Sequence, residues 1–245
     1  MLSKRKLKFF KSLQIKKYRQ QSRNFLVEGA KGVEEALNSD FEVDYLAITE
    51  SFKKELEDKN ILLKGEVDVV TERELKAAGT FDSNNAGLAI LKMPDQTAVP
   101  QALSGVTLML DDVRDPGNLG TIIRMADWYG VEQIICSKQT ADLYNPKVIN
   151  ATMGSFTRVS VYYADLEDFL NTKSLPVFGT LLSGDSIYTT GLKSDAIILM
   201  GNESKGISDQ LMRFIDHPIK IPSRGGAESL NVAIATAITL DNFFR

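Results

Sequence analysis

Apolar residues recur along this chain in two alternating patterns. Short continuous runs, such as Phe25-Leu26-Val27 and Val106-Thr107-Leu108-Met109-Leu110, are typical of strands that are buried on both faces. Between such runs, apolar residues three or four positions apart predict helices, and Leu119, Ile122 and Ala126 form one such stripe. The alternation of strands and helices predicts a layered α/β fold.

The predicted elements fall into two groups. The first comprises strands at 25–27, 45–48, 67–70 and 88–91 and helices at 29–37, 52–58 and 72–78. The second comprises strands at 106–110, 132–136, 159–162, 177–182, 196–200 and 219–221, helices at 119–129 and 229–244, and short helices near Lys147, Leu166 and Leu211. Pro94 and Pro100 lie in a stretch without periodicity, which is typical of a linker. We therefore predict an N-terminal α/β domain at 1–93, a linker at 94–104 and a C-terminal domain at 105–245.

The distribution of charge changes this picture at the N-terminus. The net charge of the 245 residues is −3, yet residues 1–25 contain nine basic side chains and no acidic one. Such asymmetry favours a cationic arm that binds phosphates, with a solvated tail as the alternative. Because nine cations without an anion are not expected to form a packed core, we expect the arm to stay outside one. The aromatic rings of Phe9, Phe10 and Tyr18 are expected either to stack on bases or to pack on the core.

Composition excludes several classes of protein. Hydrophobic residues make up 43% and charged residues 25% of the chain, as in ordinary globular proteins. The basic start of the chain lacks the apolar core of a signal peptide, and no run approaches the ~20 apolar residues of a membrane span. The one cysteine, Cys136, and the one histidine, His217, offer neither a disulfide nor a metal cluster. We expect a cytoplasmic protein without a metal site, in which both residues are structural.

Three polar segments, at 110–124, 197–208 and 219–233, follow predicted strands, and strand ends are where open α/β sheets bind ligands. In the first, Arg124 lies about 140° around the helix from Leu119 and is therefore free to face a ligand. In the second, Gly201 permits close approach of a ligand to the backbone. In the third, Ser229 is a candidate N-cap, which would place Asn231 in the first turn of the last helix.

Other enzyme classes find little support. The sequence has no Gly-x-Ser-x-Gly elbow of a serine hydrolase and no Gly-x-x-x-x-Gly-Lys-Ser/Thr phosphate loop. No Gly-x-Gly-x-x-Gly motif follows its first strand either.

In order and spacing, the three segments together resemble the three motifs of the SpoU/TrmH family of SPOUT methyltransferases. The resemblance covers roughly residues 106–245 and extends to the run from Asn145-Pro146-Lys147 to Ala151-Thr152-Met153-Gly154-Ser155. The N-terminal part, with Tyr18-Arg19, Phe25-Leu26-Val27-Glu28-Gly29 and Val33-Glu34-Glu35-Ala36, is similar to the ribosomal-protein-like RNA-binding domain of many members.

The resemblance implies a SPOUT-type sheet whose C-terminal segment forms a deep trefoil knot. Knots are essentially absent from proteins in general, so this expectation depends on family likeness alone. The implied cofactor is S-adenosylmethionine, bound without a metal mainly by backbone groups of Gly201, Ile221 and Leu230, with help from Thr180. Members are typically homodimers whose active sites take residues from both subunits.

The implied reaction is methylation of a ribose 2′-hydroxyl of RNA. The resemblance assigns Arg124 the role of the base that deprotonates the 2′-hydroxyl. Since arginine stays protonated in proteins, we favour an electrostatic role instead, in which Arg124 orients an RNA phosphate that takes the proton. The positioning residues of Arg124 and the ribose are Asn118, Glu203, Ser229 and Asn231. The sequence departs from the family pattern at Asn150, Ser204 and Ser223.

Three alternatives stay open at this point. The substrate is ribosomal RNA by preference, with transfer RNA as the second choice. A base-methylating SPOUT enzyme would need an acidic or amide base, and the pair Asn118 and Arg124 favours ribose instead. A catalytically silent RNA-binding protein on the same fold is disfavoured by the presence of Arg124, Glu203, Ser229 and Asn231.

Overall fold

The computed structural model describes residues 2–95, 99–100 and 103–245. The chain forms two compact units. The N-terminal unit comprises Met1–Gln96 and Asp142–Thr157, and the C-terminal unit comprises Thr97–Ala141 and Arg158–Arg245. Residues 96–98 and 101–102 of the predicted linker lie outside the described residues.

A four-stranded sheet with the strand order β1-β4-β2-β3 forms the centre of the N-terminal unit. The strands are β1 (Asn24–Glu28), β2 (Val43–Ile48), β3 (Glu66–Val69) and β4 (Gly87–Lys92). The helices are α1 (Lys4–Ser12), α2 (Lys16–Ser22), α3 (Ala30–Leu37), α4 (Glu50–Asp58), α5 (Glu72–Ala78) and α7 (Pro146–Thr152). Strand β4 lies antiparallel to both β1 and β2, whereas β2 and β3 are parallel. All strands and helices predicted between 25 and 91 are confirmed within one or two residues.

The basic segment at 1–25 is not an arm, and the expectation that it stays outside a core was wrong. Phe10 of α1 and Leu13 are fully buried among residues of the N-terminal sheet and α5, and Leu7 packs against the same cluster. These three apolar residues recur every three positions and therefore share one face of the segment. The prediction was based on the charge of the segment, which does not reflect the spacing of its apolar residues. In addition, Lys6 forms ion pairs with Glu66 and Asp68 of β3, which supply the anions that the segment lacks.

The later segment 142–157 packs into the N-terminal unit through contacts with a buried arginine and an aromatic ring. Arg19 of α2 is 2% exposed and donates hydrogen bonds to the carbonyl of Leu13 (2.9 Å) and to Oδ2 of Asp142 (2.6 Å). The ring of Phe25 contacts those of Tyr144 and Phe156, with centroids 4.7 and 5.9 Å away. The segment is therefore part of the core of this unit.

The C-terminal unit has a six-stranded sheet in which every pair of neighbours is parallel. The strand order is β10-β8-β9-β5-β6-β7. The strands are β5 (Val106–Leu110), β6 (Gln133–Ser137), β7 (Ser160–Ala164), β8 (Val177–Ser186), β9 (Ala196–Met200) and β10 (His217–Lys220). The helices are α6 (Pro116–Trp128), α8 (Leu166–Asn171), α9 (Asp209–Met212) and α10 (Val232–Phe243). The predicted mixed α/β architecture with a parallel sheet is confirmed.

The order of the strands defines where a ligand is expected. From β5 the chain adds β6 and β7 on one side, and then β8 and β9 on the other. The switch point therefore lies between β5 and β9, whose last residues Leu110 and Met200 are paired. Crevices at the carboxyl ends of strands at such a point bind ligands in open α/β sheets.

The last helix begins later than predicted, and its cap is a different residue. Ser229 is exposed in an irregular loop, and α10 begins at Val232. Oδ1 of Asn231 accepts hydrogen bonds from the backbone N–H groups of Ala233 and Ile234, so Asn231 is the N-cap. Helix α10 packs on α6, but Ile234 is half exposed.

No helix in the described part of the chain is long and apolar enough to cross a membrane.

Candidate active site

Two loops at the switch point are joined by hydrogen bonds of buried polar groups. Asp111, directly after β5, donates its N–H to the carbonyl of Met200 at the end of β9 (2.9 Å). Its nearly buried carboxylate accepts the N–H of Ser208 (2.8 Å), and Nδ2 of Asn202 donates to the carbonyl of Asp112 (2.7 Å). These contacts hold the loop after β5 against the loop after β9.

The loop after β9 depends on a glycine and an asparagine. A Cβ on Gly201 would lie 2.2 Å from the backbone carbon of Gly206, so only glycine fits there. Asn202 and Gly206 exchange two backbone hydrogen bonds. Oδ1 of Asn202 also accepts the N–H groups of Ser204 and Lys205. Of Ser204, only the backbone N–H takes part in these hydrogen bonds. Serine therefore fits the turn at this position, where glycine is common in the family that the sequence resembles.

Three of the predicted site residues form one hydrogen-bonded triad, Asn118, Glu203 and Asn231. Nδ2 of Asn118 donates to Oε1 of Glu203 (2.9 Å), and Oδ1 of Asn118 accepts from Nδ2 of Asn231 (2.9 Å). Asn118 lies in the first turn of α6, whose N-cap Asp115 accepts its backbone N–H (2.8 Å). The triad therefore joins the start of α6, the loop after β9 and the start of α10.

The remaining predicted residues lie at the ends of strands or in the loop before α10. Thr180 is on β8 and donates from Oγ1 to the carbonyl of Leu199 (3.1 Å). Ile221 follows β10 and is half-buried, whereas Ser229 and Leu230 are exposed. Leu230 is 48% exposed and is the neighbour in the chain of the triad member Asn231.

Arg124 lies on the exposed side of α6 and forms no hydrogen bond or ion pair with any residue that the structure describes. It follows Asn118 by six positions, which corresponds to about 120° around a helix at 100° per residue. The two side chains thus leave the helix in different directions. The structure brings neither Arg124 nor Ser229 into hydrogen-bond contact with the triad.

Three residues near the switch point were not predicted as site residues. Asp111 and Asn202 hold the loops, and Arg114 is a cation with 65% of its side chain exposed. Nε of Arg114 donates to Oδ1 of Asp112 (2.7 Å), and this bond raises the pKa of Arg114. The two aspartates directly after the buried strand β5 are the feature of the sequence that could have drawn attention to Asp111.

Among the described residues there is no cluster that could hold a metal ion, and there is no exposed thiol. No three or more His, Cys, Asp or Glu side chains among them are arranged to hold a metal ion. Cys136 is fully buried in β6, and this burial raises the pKa of its thiol. His217 stacks on Phe178 with the ring centroids 4.5 Å apart, as expected of a structural residue.

Comparison with known protein families identifies both parts of the chain. Residues 105–241 match the SpoU rRNA Methylase family, and residues 4–87 match the MRM3-like substrate binding domain. The first match covers the parallel sheet and every residue of the triad. The second begins at Lys4, the first residue of α1, and so includes Phe10, which is buried in the N-terminal unit.

Individual relatives are similar over nearly the whole chain. The 23S rRNA (guanosine(2553)-2′-O)-methyltransferase RlmP of Bacillus subtilis is 32% identical, over 95% of this chain and 93% of its own length. A TrmH-family structure from Porphyromonas gingivalis is 34% identical, with a TM-score of 0.88 over 99% of this chain and 98% of its own. An AdoMet-bound rRNA methyltransferase from Sinorhizobium meliloti is 32% identical, with a TM-score of 0.86 over 99% and 95% of the two chains. This chain therefore belongs to the SpoU rRNA methylase family, with the SPOUT methyltransferase fold in its C-terminal unit.

Proposed function

We propose that this protein is an S-adenosylmethionine-dependent methyltransferase that transfers a methyl group to a ribose 2′-hydroxyl of ribosomal RNA. The observation that carries the proposal is the triad of Asn118, Glu203 and Asn231 at the switch point of the parallel sheet. The Bacillus subtilis relative, which is similar over both units, is a 23S rRNA 2′-O-methyltransferase, and this supports the choice of ribose and of ribosomal RNA.

The loops at the switch point fit S-adenosylmethionine by their chemistry. Leu230 and Ile221 present apolar side chains that can cover the adenine, and the loop at Gly201 offers backbone groups without a Cβ in the way. Thr180, on the strand next to β9, completes the proposed set of binding residues. When bound, the cofactor supplies a methyl group on a sulfonium, which is electrophilic enough to require no metal. The AdoMet-bound relative from Sinorhizobium meliloti supports this assignment.

The side chains of this protein then have two tasks, to place the ribose and to compensate charge. Much of the rate is expected from positioning of the 2′-oxygen in line with the methyl group. Since arginine stays protonated, we assign Arg124 to hold an RNA phosphate near the 2′-hydroxyl, so that the phosphate accepts the proton. Glu203 and Asn231 fix the amide of Asn118, and Ser229 lies in the loop before Asn231, where it can contact the ribose.

The protein is proposed to act as a homodimer that pairs through α10 and neighbouring helices. Arg124 faces away from the triad of its own chain. In the proposed dimer, Arg124 of the second copy would therefore complete the site. Large apolar side chains are exposed on α6 and at α10: Trp128 is 81%, Ile234 51% and Phe244 47% exposed. Exposed apolar patches commonly mark protein interfaces, and we propose that these side chains contribute to the dimer interface.

The two domains are proposed to divide the work between RNA and cofactor. Residues 1–93 would bind the substrate, 94–104 would link, and 105–245 would bind the cofactor and catalyse. The match of residues 4–87 to a substrate binding domain supports the first assignment. We further propose that the loops around 201–231 form the deep trefoil knot of the family and that the enzyme works in the cytoplasm.

Methyl transfer to defined RNAs tests the proposal. Tritiated S-adenosylmethionine is incubated with unmodified transcripts of 23S ribosomal RNA and, separately, of transfer RNA. Label in the ribosomal transcript supports the proposal, and label in transfer RNA alone would favour the second candidate. Absence of label in both, with RNA still bound, would identify a catalytically silent RNA-binding protein.

A further inference from the structure

Arg114 is an exposed cation near the triad, and none of the proposed steps uses it. It lies in the loop after β5 with 65% of its side chain exposed, directly before Asp115, the N-cap of α6. The backbone N–H of Asp115 is 3.5 Å from Oε1 of Glu203, the carboxylate that fixes Asn118. Arg114 is therefore the chain neighbour of a residue that contacts the triad.

A single ion pair anchors the guanidinium of Arg114 and leaves its outer edge free. Nε of Arg114 donates to Oδ1 of Asp112 (2.7 Å), whereas the terminal nitrogens Nη1 and Nη2 have no partner among the described residues. These two nitrogens carry four of the five N–H donors of an arginine. Parallel donation by two guanidinium nitrogens is the geometry that matches a phosphate.

The anchor itself is held in place by backbone hydrogen bonds of Asp112. Its N–H donates to Oγ of Ser137 (2.9 Å), and its carbonyl accepts from Nδ2 of Asn202 (2.7 Å). Asp112 has a φ of 59°, in the left-handed region that Asp and Asn adopt more readily than most other residues. A guanidinium anchored in this way loses less conformational entropy on binding a ligand than a freely moving one.

The carboxylates around Arg114 accept hydrogen bonds from the protein itself. That of Asp115 accepts the N–H of Asn118 (2.8 Å), and that of Glu203 accepts from the side chain of Asn118 (2.9 Å). The hydrogen bond with Asp112 and the nearby charge of Glu203 raise the pKa of Arg114, so the guanidinium stays charged. The free donors of this surface therefore belong to Arg114.

The position of Arg114 in the chain favours RNA over the cofactor as its ligand. The loop after β5 supplies none of the residues proposed to bind S-adenosylmethionine. It leads instead into the first turn of α6, where Asn118 is proposed to help to place the ribose. Phosphates are the anionic groups that lie next to a ribose in RNA, and arginine is a common ligand for them.

We infer that Arg114 binds a phosphate of the RNA backbone next to the target ribose, in the same subunit as the triad. Each ribose within an RNA chain is flanked by two phosphates, so this contact leaves the other phosphate for Arg124. The inference rests on the proposed function, because it names the part of the substrate RNA that this loop holds.

The first test is the effect of Arg114→Gln on RNA binding. We expect affinity for an unmodified 23S transcript to fall about tenfold, as for the loss of a charge-assisted hydrogen-bonded pair. The slope of log affinity against log salt should decrease by about 0.7, the value for one phosphate contact on a single strand. The KM for the transcript should rise while kcat, S-adenosylmethionine affinity and the melting temperature stay unchanged. Affinity is measured by filter binding of the labelled transcript at several salt concentrations.

Two further variants separate a contact from a change of charge. Loss of Arg114 leaves the carboxylate of Asp112 unpaired, and this carboxylate alone would repel a phosphate. The double variant Asp112→Asn with Arg114→Gln has the local charge of the wild type, and asparagine tolerates the left-handed conformation at this position. Its RNA affinity should therefore remain low. Arg213→Gln is the matched control, because Arg213 belongs to the same unit, is 61% exposed and has one ion pair, with Glu167 (2.6 Å).

Low RNA affinity in both Arg114 variants, with wild-type affinity in the control, supports the inference. Wild-type RNA affinity in Arg114→Gln, or its recovery in the double variant, overturns the inference. A loss of S-adenosylmethionine affinity in place of RNA affinity also overturns it, and identifies the carboxylate of the cofactor as the ligand. These results concern Arg114 alone when the wild type methylates the 23S transcript. A wild type that transfers no methyl group to RNA overturns the proposed function, and the inference with it.

Discussion

Nδ2 of Asn118 donates a 2.9 Å hydrogen bond to Oε1 of Glu203, a residue 85 positions later in the chain. The other end of the same amide accepts a hydrogen bond from Asn231, which also caps α10. One side chain therefore sets the relative positions of three segments around the switch point. Loss of this amide should disturb the site while the core stays intact, because the amide lies near the surface.

Substitution of Asn118 tests this relationship. We expect Asn118→Ala to lower the rate of methyl transfer about a hundredfold, the order of effect that follows from a misplacement of about 1 Å. The melting temperature should change little. Asn171→Ala is the matched control, because Asn171 is an exposed asparagine of α8 in the same unit. A near-normal rate for Asn118→Ala would mean that the triad holds no part of the reacting geometry.

Arg124 gives a test of both chemistry and assembly. Arg124→Ala should keep S-adenosylmethionine affinity and lose methyl transfer, because the exposed side chain does not hold the fold. If the site takes Arg124 from a second copy, a mixture of Arg124→Ala and Asn118→Ala subunits should regain activity. Half of the dimers are then mixed and have one complete site each, so about a quarter of the wild-type rate is expected.

The mixture also separates the two arrangements of the site. When every site uses residues of one chain, mixed dimers contain no complete site and the activity stays lost. A monomeric mass by light scattering at micromolar concentration would contradict the dimer itself.

The exposed cations of α1 and α2 are predicted to bind the RNA backbone. Lys16 and Lys17 form no ion pair with any residue of described placement and lie next to the half-exposed ring of Tyr18. Replacing both with Gln should reduce the slope of log affinity against log salt by about 0.7 for each lost phosphate contact. Lys54→Gln with Lys76→Gln removes the same charge from exposed sites on α4 and α5 as a control. If the plot of log affinity against log salt has the same slope for the Lys16 and Lys17 variant as for the control variant, RNA binds to another surface.

This experiment uses substitutions because deletion of residues 1–25 would also remove Phe10 and Leu13 from the core. The alternation of apolar runs was sufficient to predict the strands, since a parallel sheet is buried on both faces. Net charge was a poor guide to α1, because it ignores the spacing of Leu7, Phe10 and Leu13. A segment can be highly basic on one side and packed on the other.

The triad shows what spacing can and cannot predict. Asn118, Glu203 and Asn231 lie in polar segments after strands, and the resemblance to the SpoU/TrmH family implied their roles. Their contacts across 85 and 113 positions do not follow from local pattern. Ser229 and Asn231 are both residue types that cap helices, so the sequence left the start of α10 ambiguous. The membership of 142–157 in the N-terminal unit depends on Arg19 and the aromatic cluster, which are tertiary contacts.

The docking of α1 is predicted to depend on pH through Asp68. A hydrogen bond from the hydroxyl of Tyr45, and another from Lys6, lower the pKa of Asp68 below its ordinary value of 3.8. A carboxylate with a lowered pKa in the folded state stabilises the fold above pH 3.8, and this contribution is lost as the pH falls through the folded-state pKa. The melting temperature of Asp68→Asn should therefore fall less between pH 7 and pH 3 than that of the wild type. An identical decrease in both proteins would mean that Asp68 gains nothing from Tyr45 and Lys6.

The proposed enzyme transfers the methyl group to one atom, the 2′-oxygen of a ribose in ribosomal RNA. An unmodified 23S ribosomal RNA transcript is incubated with the enzyme and S-adenosylmethionine, digested to nucleosides and analysed by mass spectrometry, with Arg124→Ala as the inactive control. A 2′-O-methylated nucleoside is expected with the wild-type enzyme and not with the variant. A methyl group on a base, or equal 2′-O-methylation by wild type and variant, would contradict it.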